Sequence, residues 1–317
     1  MRSHRFTRSS ARRLVTAMAA VLGIVTGCSD GAPTGPIAGG IRGPGSSSFD
    51  RNTPTFSFAT IDVPGALSTT PQGINAGGDI SGWYVDATRH AHGFILHDGA
   101  LTQIDYPGAD NTSVRGIGPD GTIVGNYAND TEDAVASHGF MRTPDGTFEP
   151  VHYPGHLNEI PQRVLPDGTI LGCRHDHDTM GSMDGIVIAR ADTSEINQFA
   201  SMNNGATPNG QLIVGLYTDM TTRQTKGYSI ENGTFTDFLV PGSTFTTAWD
   251  VNPRGDIVGV YRNAAGFHGY VRTGAGYTTL DAPGASATRA FGINARGDVV
   301  GTYVVAGVTH GFLMTRQ

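Results

Sequence analysis

From Phe56 to the C-terminus, short apolar runs alternate with clusters of Gly, Asn, Asp and Pro. The runs are too short for helices. They are rich in Val, Ile, Phe and Tyr, which suit a pleated, half-buried surface. Turn clusters at this close spacing predict strands joined by hairpins. The pattern also repeats. A motif close to "GINxxGDIxG" recurs with its second Gly at Gly78, Gly121, Gly168, Gly210, Gly255 and Gly297. A β-rich unit of roughly 45 residues is the period of a propeller blade rather than of a helical solenoid.

Each repeat contains four apolar pieces. The first resembles "FGIN" and ends in a tight turn such as "NAGGD" or "NPRGD". Gly and Asn accept positive φ there, as hairpin turns require. The second piece is "IVGNY" or similar, followed by a longer, variable loop. The third is "HGFI", "HGFM", "HGYV" or "HGFL", and the fourth resembles "LTQIDYPGA". Four strands and six markers predict an all-β, six-bladed β-propeller with four strands per blade. The last repeat stops after its third strand, "HGFLMTRQ", while "FSFATIDVPGA" at the start is an orphan fourth strand. The N-terminal strand is therefore expected to complete the last blade, pairing both free edges.

The "HGF" units, with "GIN", "IVGNY" and "IDYPGA" around them, resemble the HAF family of extracellular repeat proteins. The resemblance covers nearly all of residues 56–317. It implies bacterial export and a propeller-like array, and it carries no catalytic residues across. Two repeats depart from it: Asp184 and Lys226 stand where the others have His92, His138, His268 and His310.

The start of the chain has a different character. Arg2, Arg5, Arg8, Arg12 and Arg13 precede an apolar stretch from Leu14 to Val25, too short for a stable membrane span. It ends in Val25-Thr26-Gly27-Cys28, which resembles a bacterial lipobox with Cys28 as the lipidated residue. The expected organisation is a signal peptide over 1–27, a flexible Gly/Pro/Ser linker over 28–53 and the propeller over 54–317. Lipid at Cys28 leaves Cys173 without a partner in the chain, so no disulfide is expected. Ser29 does not carry the inner-membrane retention signal of an Asp, which points to the outer membrane or cell surface. Removing 1–27 takes away five Arg and no acid, moving the net charge from −7 to −12. That balance argues against a nucleic-acid partner. A monomer is expected, held to a membrane by its lipid, with a glycan or protein as ligand.

Four His at equivalent places in different repeats lie around a ring and cannot meet on one ion. They are expected to bond a backbone group or the Asp of their own fourth strand: Asp62, Asp105 or Asp281. The recurring Tyr84, Tyr127, Tyr217, Tyr261 and Tyr303 are expected to pack between blades.

Function is expected on the face that carries the variable loops and blade crossings, around the channel mouth. The residue before the first-strand Ile, or its replacement, reads Gly73, Gly116, Arg163, Gly205, Asp250 and Gly292. One position earlier stand Gln72, Arg115, Gln162, Asn204, Trp249 and Phe291, and Arg289 lies two residues before Phe291. Arg115, Arg163, Arg289, Trp249 and Asp250 are thus candidate ligand contacts, because Arg grips carboxylates and Trp stacks on sugar rings. Salt bridges between blades are the competing reading.

Repeat three departs most. "VHYPGH" replaces "IDYPGA", bringing in His152 and His156, with Glu159 and Arg163 after them. Its second strand ends "GCRHDHDTM", with Cys173 and Arg174 ahead of His175 and His177. His175 and His177, with His156 or a carboxylate as third ligand, could hold a divalent transition metal such as zinc. Alternatively, His175 or His177 could act as general base, with Arg163 or Arg174 neutralising a substrate carboxylate. An inert, solvated loop is the third reading. Cys173 reads as a small buried residue. No GxSxG, Walker-type loop, HExxH or dinucleotide fingerprint is present. The leading expectation is an envelope-anchored binding module rather than an enzyme. The alternatives are a lyase or hydrolase of an acidic glycan, or a purely structural surface protein.

Overall fold

A computed structural model describes residues 54–132, 136–156, 158–176, 183–189, 193–196 and 200–317. The expected signal segment, Cys28 and the linker lie outside the described residues, as does His177. The described elements are 24 strands, with no helix among them.

The chain opens with β1 (Phe56–Ile61). Repeat one follows as β2 (Ser68–Ile74), β3 (Ile80–Val85), β4 (Ala91–His97) and β5 (Ala100–Ile104). Repeat two is β6 (Asn111–Ile117), β7 (Ile123–Ala128), β8 (His138–Arg142) and β9 (Phe148–Val151). Repeat three is β10 (Asn158–Val164), β11 (Ile170–His175), β12 (Asp184–Ile188) and β13 (Thr193–Ile196). Repeat four is β14 (Ser201–Ala206), β15 (Leu212–Asp219), β16 (Gln224–Glu231) and β17 (Thr234–Phe238). Repeat five is β18 (Phe245–Val251), β19 (Ile257–Asn263), β20 (Gly266–Thr273) and β21 (Gly276–Leu280). The last repeat has β22 (Ala287–Ile293), β23 (Val299–Val305) and β24 (Val308–Arg316).

Consecutive strands of a repeat pair side by side, with the first strand innermost. The inner strands β2, β6, β10, β14, β18 and β22 touch one another in cyclic order, and β22 returns to β2. This closed arrangement is a β-propeller. β1 pairs antiparallel with β24, Phe56 opposite Arg316 and Ile61 opposite Gly311, so the two ends of the chain cover each other's edge.

The sheet count differs from expectation. Four separate four-stranded sheets form, from repeats two to five, not six. The remaining eight strands make one sheet, joined by a single parallel bridge between Ser68 and Thr309. The cause is local. β1 covers β24 only from Arg316 to Gly311, so the first residues of β24 are free where the chain turns into β2.

The recurring glycines follow from packing. Phe94, Phe140, Tyr228, Tyr270 and Phe312 on the third strands are almost fully buried, each contributing about 1.5–3 kcal/mol by burial. Each ring lies on the second-strand Gly of its own repeat. A Cβ at Gly82, Gly125, Gly215, Gly259 or Gly301 would come within 3.0 Å of that ring. The turns tie neighbours together as well. Arg254 donates to the carbonyl of Ala295 at 2.7 Å, and Arg296 to that of Ala76 at 3.0 Å, each reaching the next repeat.

Candidate functional site

Every inner strand carries one β-bulge, at the same place. The extra residues are Gln72, Arg115, Gln162, Asn204, Trp249 and Phe291. A bulge takes its residue out of the ladder and re-aims the side chain. These six consequently reach around the ring. Arg115 Nη1 donates to Gln72 Oε1 at 3.4 Å, and Asn204 Nδ2 donates to Ala248 O at 2.8 Å. Gln162 Nε2 lies 3.3 Å from Met202 Sδ. Trp249 and Phe291 meet edge-on, with centroids 5.0 Å apart.

One residue further along, the backbones crowd together. A Cβ at Gly116 would stand 2.5 Å from Gln162 O, and one at Gly205 would stand 2.7 Å from Asp250 Cα. Glycine lets the inner strands meet there. The two exceptions, Arg163 and Asp250, pair with each other: Arg163 Nη2 lies 2.7 Å from Asp250 Oδ2. Both are buried, at 7% and 4% exposure. Arg163 also lies against Gly73, whose Cβ would stand 3.0 Å from Nη1. Asp250 accepts the N–H groups of Val251 and Ile293 at 2.9 and 3.0 Å. Burial pushes the Asp250 carboxyl up in pKa, opposed by the Arg163 charge and these bonds. The expectation that Arg163 and Asp250 line an open mouth is therefore corrected. They plug the ring, because each supplies the counter-charge the other needs away from water.

On the crossing side of this pair lies the shaft, the space that the six inner strands enclose. Arg115, Trp249 and Phe291 are partly exposed, as are Ser113, Ile160, Met202 and Arg289 nearer the crossings. Arg115 Nε donates to Asn126 Oδ1 at 3.0 Å, and among the described residues no carboxylate pairs with its guanidinium. Enclosure by the ring lowers the Arg115 pKa to about 10. Trp83 Nε1 donates to Gln72 Oε1 at 3.2 Å. Arg289 sits over the Phe267 ring at 4.9 Å, and burial lowers its pKa. Trp83 carries no signal in the column of bulge residues, because it reaches Gln72 from β3. Two surface cavities, of about 210 and 390 Å³, are lined by none of these residues.

The recurring His residues serve the rim. His92, His268 and His310 hold Asp105, Asp281 and Asp62 at 2.9 Å. His138, whose fourth-strand Asp is replaced by His152, turns to Glu132 at 3.0 Å. Four second-strand Tyr residues bond the fourth strand, while Tyr127 stacks on Tyr106 with centroids 3.8 Å apart. Tyr84 donates to Gln103 and Tyr217 to Asp237, both at 2.6 Å, while Tyr261 bonds Thr279 at 2.9 Å and Tyr303 bonds Thr60 at 2.8 Å.

Repeat three uses the same registers with charges. Arg174 faces Asp184 as Tyr261 faces His268. Its Nε and Nη2 donate to Glu195 at 3.1 and 3.3 Å, and Nη2 lies 2.7 Å from Asp184. Glu159 takes the place of Thr246: its Oε1 accepts the Tyr153 N–H at 3.1 Å, as Thr246 accepts that of Val240 at 3.0 Å. His152 Nδ1 also reaches Glu159, at 3.1 Å. His156 Nδ1 lies 2.8 Å from Asp176, and its Nε2 lies 3.7 Å from Glu195. The expectation that Arg174 receives a substrate carboxylate is corrected, since Glu195 and Asp184 already occupy it. His175 is half-buried at the end of β11, and burial lowers its pKa against the charge of Asp176. Among the described residues, no three His, Cys, Asp or Glu side chains are placed to hold an ion. His156 and His175 are thus not joined by a third ligand there. Cys173 is fully buried, and burial pushes its thiol up to about 12, the state of a small core residue.

No family model and no curated protein matches the chain. Solved structures match at low identity. TolB from Acinetobacter baumannii matches with a TM-score of 0.54 at 14% identity, over 76% of this chain and 65% of that one. A structure described as TolB from Agrobacterium tumefaciens matches at 0.52 and 13%, over 78% and 90%. The SapL1 lectin in complex with alpha methyl fucoside matches at 0.51 and 11%, over 75% and 88%. The chain has the propeller fold. At these identities the likeness concerns architecture and says nothing of ligand.

Proposed function

We propose that this chain is an exported, lipid-anchored binding module of the cell envelope, with the shaft as its ligand site. The shaft itself supports the reading. Arg163 and Asp250 pair at its base, and Trp249, Phe291 and Arg115 remain partly exposed beside it. A rigid concavity with aromatic walls and a few fixed polar groups is the usual form of a ligand site. In this reading the eight-stranded sheet is two of six blades joined at one bridge, and the repeats are of HAF type. Residues 1–27 are removed on export, Cys28 carries lipid, and 28–53 tether residues 54–317 as a monomer to the outer membrane or cell surface. The ligand is a glycan or a protein.

The fold orients such a module. Phe56 lies opposite Arg316, and the Gln317 N–H bonds Thr55 O at 2.9 Å, on the face of the tight turns. The tether would therefore leave from the face opposite the shaft, presenting the mouth away from the membrane. The lyase or hydrolase reading has less support, because Arg174 is held by its own carboxylates.

Envelope and extracellular polysaccharide fractions passed over the immobilised protein test the reading. Retention is expected, reduced about tenfold or more in a W249A/F291A variant, since buried aromatic anchors carry much of such binding energy. Equal retention by both proteins would sink the shaft as the site. For the anchor, C28S should move the protein from the membrane to the soluble fraction; a C28S protein still in the membrane would remove the lipid.

A further inference from the structure

Given the shaft as the ligand site, the geometry points to a uronic-acid carboxylate seated on Arg115, with the sugar ring against Trp249 and Phe291. Charge is the first reason. The inner strands carry three guanidiniums, Arg115, Arg163 and Arg289, against two carboxylates, Asp250 and Glu159, the latter held at the rim by His152 and the Tyr153 N–H. Asp250 is already taken by Arg163. The centre is therefore cationic within a chain of net charge −7, and an enclosed mouth concentrates that field.

Donor geometry is the second reason. The partners of Arg115, Asn126 and Gln72, are neutral amides that orient its planar fork without neutralising it. Among the described residues its Nη2 has no partner. An uncommitted donor on a guanidinium that no carboxylate pairs calls for an acceptor with negative charge, and a carboxylate meets a guanidinium fork bidentately. The third reason is the wall. Trp249 and Phe291 are bulge residues like Arg115, and they offer an apolar edge that a bare inorganic anion would leave uncovered. A sugar ring carrying a carboxylate uses both features.

The test titrates the purified full-length protein with D-galacturonate, D-galactose, acetate and sulfate, reading Trp fluorescence and Tm. Galacturonate is expected to bind saturably and raise Tm, with the other three at least about tenfold weaker, since a charged hydrogen-bond pair and a stacking contact each carry that much. Arg115→Met should weaken galacturonate about tenfold or more, while its ligand-free Tm equals or exceeds that of the wild type. A merely structural Arg115 would instead lower the ligand-free Tm and leave the affinity unchanged. Arg115→Lys keeps the charge and loses the fork, so it should fall between.

Equal binding of galactose would overturn the carboxylate assignment, and equal binding of acetate or sulfate would overturn the sugar. Failure of galacturonate to bind would overturn both. Polysaccharide retention that survives R115M but not W249A/F291A would keep the shaft and remove the carboxylate. Galacturonate binding that R115M abolishes, with no polymer retained, would keep the carboxylate site and remove the polymer.

Discussion

In repeat five, Tyr261 and His268 face each other across β19 and β20, and each reaches a fourth-strand partner, Thr279 and Asp281. In repeat three the same registers hold Arg174 and Asp184, and the fourth strand supplies Glu195. The backbone frames are alike. Only the chemistry of the rim differs, Tyr–Thr and His–Asp pairs in one and an Arg among carboxylates in the other. The replacements in repeat three bond one another, so the departure reads as a compensated exchange rather than a cluster of free reactive groups. At the hub the same two repeats are complementary. Repeat three supplies Arg163 and repeat five supplies Asp250, and neither charge has another partner of opposite sign in the plug. The rim can diverge repeat by repeat because its contacts are local. The hub cannot, because its contact crosses the ring.

The hub should break first. Asp250→Ala leaves Arg163 buried without a counter-charge and is expected to cost about 3–5 kcal/mol in denaturant unfolding. Adding Arg163→Met should recover much of the loss. A double variant no better than D250A would show that the two charges are not acting as a pair.

At the rim, Arg174→Ala leaves Asp176, Asp184 and Glu195 close together and should cost about 1–3 kcal/mol. Transplanting the repeat-five chemistry as R174Y/D184H/E195T should recover at least half of that. A triple variant less stable than R174A would refute the equivalence of the two rims. Tyr261→Phe, which removes one neutral hydrogen bond from repeat five, should cost only about 0.5–1.5 kcal/mol.

The smallest effect lies in the pH dependence, and it has opposite signs in two repeats. Burial lowers the pKa of His92, the repeat-one counterpart of His268, but bonds and charge from Asp105 and Asp86 outweigh it, leaving a net rise. Its stabilisation is complete below the unfolded value of about 6.5 and is lost as pH rises through the folded pKa. His175 in repeat three is shifted down by burial. It costs nothing above about 6.5, and stability falls as pH drops from there through its folded pKa. In Tm measured at pH 5.5 and 8, H92Q should lose more at pH 5.5, whereas H175Q should gain at pH 5.5 and not at 8. The same sign for both would remove the contrast.

Strand identity, turn positions, the repeat and the pairing of the first strand with the last are all readable along the chain. They rest on local chemistry: alternating apolar runs, glycines at positive φ, and a missing fourth strand at one end matched by a spare one at the other. The rim His–Asp pairs are nearly as local, since most join adjacent strands of one repeat. What only the folded ring decides is which distant residues meet. The column Gly, Gly, Arg, Gly, Asp, Gly shows two charges among glycines, yet not that they touch. Arg163 and Asp250 are two repeats apart, and their contact exists only because six inner strands converge on one axis. The bulge that aims Arg115 and Trp249 into the shaft is likewise a property of pairing register, and the fusion of two repeats into one sheet depends on where β1 stops along β24. Local preference sets the strands, and closure of the ring sets which charges remain unpaired.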